Sequence, residues 1–261
     1  MPKLAANLSW IYQEVPFLQR FGAAAAHGFK AVEILFPYEA PAVEIAAELK
    51  KHKLTQALFN LPPGDWSKGE RGLAALPGRE AEFAAALEKA LDYAKVLECR
   101  TLHVMSGMIA PGADTKAMHR TFVSNLKKVC DRTAKSGLTI VLEPINHRDI
   151  PGYFTNTTDQ VKQIIDEVGA PHLKLQLDLY HMQVTEGDLQ KRTERLFPIT
   201  AHVQIAGNPD RNEPDIGEVN HLYLLDVLDR LGYQGYVGLE YKPKTTTGAG
   251  LGWAAKYGIK A

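Results

Sequence analysis

Four oxygen-bearing side chains interrupt four otherwise apolar runs in the second half of the chain. Glu143 closes Leu138–Glu143, Asp178 lies in Leu173–Leu179, Gln204 in Ile199–Ile205 and Glu240 in Tyr236–Tyr241. The approach to Glu143 is β-branched or apolar at every position, Thr139-Ile140-Val141-Leu142, which suits a strand covered on both faces. A carboxylate is costly there unless something compensates its charge. Strand alternation turns each of the four away from its apolar neighbours, so all four share one face. Three carboxylates at one height repel one another and raise one another's pKa values. A divalent cation removes that repulsion, and carboxylate and amide oxygens favour Mg²⁺ or Mn²⁺. The expected ligands are therefore Glu143, Asp178, Gln204 and Glu240. The same set offers acid–base chemistry. Glu143 and Glu240 come from strands three apart and can face each other, one taking a proton from carbon and the other returning one. A cation holding neighbouring hydroxyl and carbonyl oxygens stabilises the enediolate between those steps. No nucleophile signature competes: there is no GxSxG elbow, and neither Cys99 nor Cys130 has an activator nearby in sequence.

The elements that must carry these residues repeat in pattern. Strand-like runs fall at Leu4–Leu8, Ala31–Leu35, Leu54–Leu61, Thr101–Met105 and the four already named. Helical stretches fall between them, at Pro16–Ala26, Pro41–Lys51, Arg79–Leu97, Thr115–Ser136, Thr158–Val168, Leu189–Leu196 and His221–Leu231. Gly28, Gly137 and Gly232 supply helix stops, and Thr157 or Thr158 an N-cap. Regular βα alternation means a parallel sheet. About eight repeats in 261 residues predict an α/β fold of the (β/α)₈ TIM barrel type, one domain over 1–261. A doubly wound sheet would carry a glycine-rich loop after its first strand, but Asn7-Leu8-Ser9-Trp10 stands there. The connection Pro62–Gly78 exceeds the usual loop length and follows the third strand, on the catalytic face of a barrel. Trp66, Arg71 and Leu73 are expected to fold over a ligand as a lid.

Composition narrows the function classes. The 30 basic and 30 acidic residues cancel, which argues against a nucleic-acid partner or a membrane surface. No run of about 18 apolar residues and no apolar leader predicts a membrane span or an export signal. Two cysteines without metal-ligand spacing read as reduced thiols in a cytoplasmic protein.

Longer stretches carry a resemblance. Glu143-Pro144-Ile145-Asn146-His147, Asp178-Leu179-Tyr180-His181-Met182-Gln183, His202-Val203-Gln204-Ile205-Ala206 and Glu240-Tyr241-Lys242-Pro243 resemble the hydroxypyruvate isomerase family of xylose-isomerase-like TIM barrels. Phe36-Pro37-Tyr38, Gly64-Asp65-Trp66 and Gly69-Glu70-Arg71-Gly72 extend the likeness over nearly the whole chain. The resemblance implies interconversion of hydroxypyruvate and tartronate semialdehyde, with Glu143 and Glu240 as the proton pair and a divalent metal at the four ligands. A sister group acts on four-carbon 2-oxo-tetronates, shifting the carbonyl between C2 and C3, and the motifs suit either. A ketose 3-epimerase on the same barrel is a further alternative. An apurinic endonuclease would need a basic groove and a histidine-rich cluster, which the neutral charge and the carboxylates oppose. The substrate is thus expected to be a small hydroxy-oxo acid, with room on the helical exterior for a homo-oligomer. His181 is expected on substrate oxygens, Lys242 or Arg211 on the substrate carboxylate, and Asn7 and Asn60 along the pocket. Glu213 with Arg211 is expected to form a loop salt bridge or to orient the site. His103 and His202 read as packed interior groups. His27, His52, His119, His172 and His221 read as surface.

Overall fold

Each short apolar run becomes a strand, and each strand pairs in parallel with the next until the eighth returns to the first. The computed structural model describes residues 1–261. Strands β1 (Lys3–Asn7), β2 (Ala31–Ile34), β3 (Thr55–Asn60), β4 (Thr101–His103), β5 (Thr139–Leu142), β6 (Leu173–Asp178), β7 (Thr200–Ile205) and β8 (Tyr236–Leu239) close the barrel. Around it lie α1 (Arg20–Ala26), α2 (Ala42–His52), α3 (Glu80–Leu97), α4 (Thr115–Thr133), α5 (Thr158–Val168), α6 (Leu179–Thr185), α7 (Leu189–Leu196) and α8 (His221–Arg230). The barrel expected from the alternation is the fold observed. The outward-facing strand residues and the inner faces of the helices bury one continuous apolar core, including Phe21, Phe59, Leu102, Phe122 and Leu177.

Three differences from the sequence reading matter for function. First, β4, β5 and β8 stop earlier than expected, so Glu143 and Glu240 sit just past their strands at the carboxyl rim. Second, α6 begins at once after Asp178, where an apolar run had read as a longer strand. Asp178 is its N-cap, accepting from the Tyr180 amide at 2.8 Å. Third, His221 is buried, not on the surface. It opens α8, capped by Asn220, with its ring turned inward toward the Ala206 backbone. The other four assigned to the surface are half-buried.

Burial lowers the His221 pKa to about 4. Unfolded, the ring takes a proton near its ordinary value of about 6.5. This group therefore contributes stability above that value, and the contribution is lost as pH falls toward 4. Between pH 7 and pH 5 the loss is about 2 kcal/mol. Urea melts of wild type and His221→Leu should differ by about that amount in their pH dependence, the wild type losing more. Equal losses would contradict a buried neutral ring.

The barrel interior is polar below its rim. Glu33 on β2 is fully buried and accepts from Asn7 Nδ2 at 2.9 Å and Gln204 Nε2 at 2.7 Å, with His202 Nε2 at 2.6 Å. Gly238 on β8 makes this arrangement fit, because a Cβ there would strike the Glu33 carboxylate.

Residues 61–79 form a packed strap, not a loose insertion. Ala75 N donates to Ser106 O at 2.7 Å, Gly72 N to Pro63 O at 2.8 Å, and Asn125 Nδ2 to Ala74 O at 2.9 Å. Gly72, at φ 112°, lies so close to the Met105 carbonyl that no side chain fits. Leu73, expected over a ligand, is instead buried in the core beneath the strap.

Candidate active site

At the carboxyl end of the strands lies a cavity of about 350 Å³. Glu143, Glu240, His181, His103 and Asn60 line its floor, and Arg211, Trp66 and Arg71 its walls. A larger hollow of about 670 Å³ lies at the other end, among Glu98, Arg100, Arg132 and Leu138. It precedes β4 and β5 at the amino-terminal side, where barrels keep stability and not chemistry, and it holds none of the polar strand-end residues.

The two glutamates live in opposite surroundings. Glu240 is saturated with donors. Arg211 Nη2 reaches its Oε1 at 2.5 Å, and Gln204 Nε2 and Asn7 Nδ2 reach its Oε2 at 2.6 and 3.1 Å. Glu143 Oε1 has no hydrogen-bond partner although it is buried. Asp178 Oδ2 is likewise buried and unpartnered. His181 Nε2 stands 3.6 Å from Asp178 Oδ2 and 3.9 Å from Glu143 Oε1. Asn146 Nδ2 lies 2.6 Å from the other ring nitrogen, Nδ1, and fixes the ring's orientation.

Burial dominates the titration of this group. It raises Glu143 well above the ordinary carboxylate range, and the neighbouring charges of Glu240 and Asp178 push the same way. Burial also lifts Glu240 to about 8 against the opposing pull of Arg211, and Asp178 to about 6. His181 is pushed well below its usual value by burial and by Arg211, so the ring stays neutral. The Arg211 charge is disfavoured by burial, but Glu240, Asp178 and Asp149 more than offset that.

Unpaired carboxylate oxygens beside a neutral imidazole are a donor set for a divalent cation. Glu143, Asp178 and His181 each offer one ligand atom, all within 4.8 Å of one another. The chemistry of the set and its two orphaned oxygens fit such an ion. This trio differs from the expected four. Gln204 turns its amide nitrogen to Glu33 and Glu240, and its oxygen accepts from Gln176 at 2.6 Å. It holds carboxylates in place instead of offering an oxygen. Glu240 is occupied by its three donors.

The remaining expectations divide. Asn60, Trp66, Arg71, His181 and Arg211 line the cavity. Asn7 lies beneath it, fully buried, and supports Glu240. Lys242 is exposed and borders a separate surface depression with Gln13 and Glu14, because the chain turns outward after Tyr241. Glu213 accepts from Lys244 N at 3.0 Å and does not pair with Arg211, whose partners are Glu240 and Asp149. His202 is packed inside as expected, but His103 reaches the cavity, its Nδ1 3.8 Å from Glu143 Oε2. Glu33 and Asp149 were missed. Glu33 carried the same signal as Glu143, a carboxylate inside an apolar strand, Ala31-Val32-Glu33-Ile34.

The sequence model for xylose isomerase-like TIM barrels matches residues 21–257. The chain belongs to that family. Several relatives of nearly equal length are named isomerases. A 2-oxo-tetronate isomerase of Cupriavidus necator is 52% identical, over 98% of this chain and 99% of its own. The hydroxypyruvate isomerase of Escherichia coli is 43% identical, over 98% of this chain and all of its own. Among solved structures, a Brucella melitensis protein named as an AP endonuclease, family 2, superposes with a TM-score of 0.97 at 50% identity, covering 98% of this chain and 99% of that one. No helix of the chain is long and apolar enough to cross a membrane.

Proposed function

We propose that this isomerase moves the carbonyl group of a short 2-oxo acid to the adjacent hydroxyl-bearing carbon through an enediolate. The observation that carries the reading is the pairing of one donor-saturated glutamate, Glu240, with one bare glutamate, Glu143, on the same small cavity. Arg211, Gln204 and Asn7 support the carboxylate form of Glu240 against burial, and that form, whose share grows as pH rises toward 8, takes the proton from the hydroxyl-bearing carbon. Glu143 returns a proton to the former carbonyl carbon, and the reverse reaction exchanges the roles. The hydroxyl proton passes to the former carbonyl oxygen as the bonds shift, and His181 lines the same cavity beside those oxygens. Glu143, Asp178 and His181 would hold a divalent cation. When bound, such an ion supplies Lewis-acid stabilisation of developing negative charge on oxygen.

Two substrates fit this chemistry. In a 2-oxo-tetronate the carbonyl moves from C2 to C3, and in hydroxypyruvate the same shift yields tartronate semialdehyde. The four-carbon acid is the leading reading, supported by 52% identity to the Cupriavidus necator isomerase against 43% to the Escherichia coli one. A cavity of about 350 Å³ has room for either. A nucleic-acid substrate suits the site poorly, because carboxylates floor it and Arg211 is already paired. Turnover of 2-oxo-tetronate and hydroxypyruvate, each before and after EDTA and after added Mn²⁺, tests the reading. The expected result is higher kcat/KM for the four-carbon acid and activity that EDTA removes and Mn²⁺ restores. Turnover of neither acid would overturn it.

A further inference from the structure

Two guanidinium groups line the cavity, Arg71 and Arg211, and their charges are not equally free. Arg211 is committed within the protein. It meets Glu240 at 2.5 Å and Asp149 at 2.9 Å, and lies against the rings of Trp10 and Tyr180 at 4.3 and 4.8 Å. Arg71 has no carboxylate within 4.0 Å. Its hydrogen bonds run from Nη1 alone, to the carbonyls of Trp66 at 3.0 Å and Glu70 at 2.7 Å. The other two nitrogens of the fork make none. The guanidinium carbon lies over the indole of Trp66, 3.5 Å from the ring centroid, and Trp66 in turn packs on Phe36 at 5.1 Å. The strap that bears it is pinned at Gly72 and Ala75, so the group is held in place and is not a waving surface charge. Lys242 points elsewhere, and Arg148 is spent on the Tyr180 hydroxyl and the Pro209 carbonyl.

An acid substrate brings a permanent negative charge to a cavity floored by carboxylates. It needs a cation whose charge is not already matched, and a planar fork answers a carboxylate best. We infer that Arg71, stacked on Trp66, binds the substrate's carboxylate and selects acids over uncharged ketoses. This rests on the isomerase reading above and adds its specificity residue. It also orients the substrate: the carboxylate end lies under the strap, and the carbons that exchange protons lie over Glu143 and Glu240.

The test compares wild type, Arg71→Met and Arg71→Lys on 2-oxo-tetronate, hydroxypyruvate and the uncharged ketose erythrulose. D-glycerate serves as a non-reacting carboxylate inhibitor. Arg71→Met should raise KM for the acids and Ki for D-glycerate about 10- to 100-fold, with kcat within about 3-fold of wild type. Arg71→Lys should fall between, keeping the charge but losing the fork and the stack. KM and Ki within about 2-fold of wild type in Arg71→Met would overturn the assignment. So would a fall in kcat at constant KM, which would move Arg71 into the chemistry. A wild type that prefers erythrulose would overturn the acid-isomerase reading itself and Arg71's role with it.

Discussion

Glu143→Gln and Glu240→Gln should each lower kcat by at least about 10²-fold, because in the proposed mechanism each removes one of the two groups that move a proton to or from carbon. Their effects on stability should differ. Glu143 is buried and bare at Oε1, and burial and the charges of Glu240 and Asp178 disfavour its ionised form, so an amide of the same shape removes a charge that this site opposes. The melting temperature of Glu143→Gln should equal or exceed that of wild type. Glu240→Gln strips the Arg211 guanidinium of its closest partner and presents an amide to the Gln204 and Asn7 donors. Its melting temperature should fall, since leaving one member of a buried pair uncompensated is costly. The double variant should lose little more activity than the worse single one, as expected of groups that act in one reaction cycle. Steady-state kinetics beside thermal melts read all of this. Near-normal kcat in both single variants would remove the two-carboxylate chemistry.

Arg211→Met should be the most damaging change outside the glutamates. Arg211 is 12% exposed and bridges Glu240 and Asp149, with Asp178 at 3.9 Å. Removing it strands buried carboxylates and should cost about 3–5 kcal/mol at pH 7. The cost has a sign in pH. The folded carboxylates of this site already titrate above their unfolded values, with Asp178 near 6 and Glu240 near 8. Without Arg211 they rise further, so the variant binds more protons folded than unfolded. Its deficit should therefore be smaller at pH 5 than at pH 7. Activity should fall with it, because the carboxylate form of Glu240 loses its strongest support. Denaturant melts at the two pH values, beside kcat/KM, check the expectation. A pH-independent deficit would mean that Arg211 acts through packing against Trp10 and Tyr180 instead of through charge.

Much of this was legible in the sequence, for a physical reason. A carboxylate in an otherwise apolar strand is too costly to be accidental, so Glu143, Asp178 and Glu240 marked the rim of the barrel by their surroundings alone. Alternating apolar runs and helical stretches gave the closed barrel, and the unusual length of the strap marked Trp66 and Arg71. What could not be read was direction and partnership. Whether Gln204 shows its oxygen or its nitrogen depends on Gln176 and Glu33, residues on other strands. Lys242 follows Glu240 by two in sequence, yet the chain turns and leaves it outside. His181 joined Glu143 and Asp178 because α6 starts directly at Asp178, and a helical turn brings the residue three positions on back over its cap. Which arginine has a free charge is a property of the assembled charges, which no spacing along the chain encodes.

In the proposed mechanism the carbonyl group migrates by proton removal from carbon by glutamate. Running the reaction in D₂O and following substrate and product by ¹H NMR tests it most directly. The expected result is conversion of 2-oxo-tetronate with deuterium appearing on the carbon that gains a proton, and loss of both conversion and exchange in Glu240→Gln. Conversion with the carbon-bound hydrogen fully retained would contradict it, because the hydrogen would then have moved directly between the carbons without passing through Glu143 and Glu240.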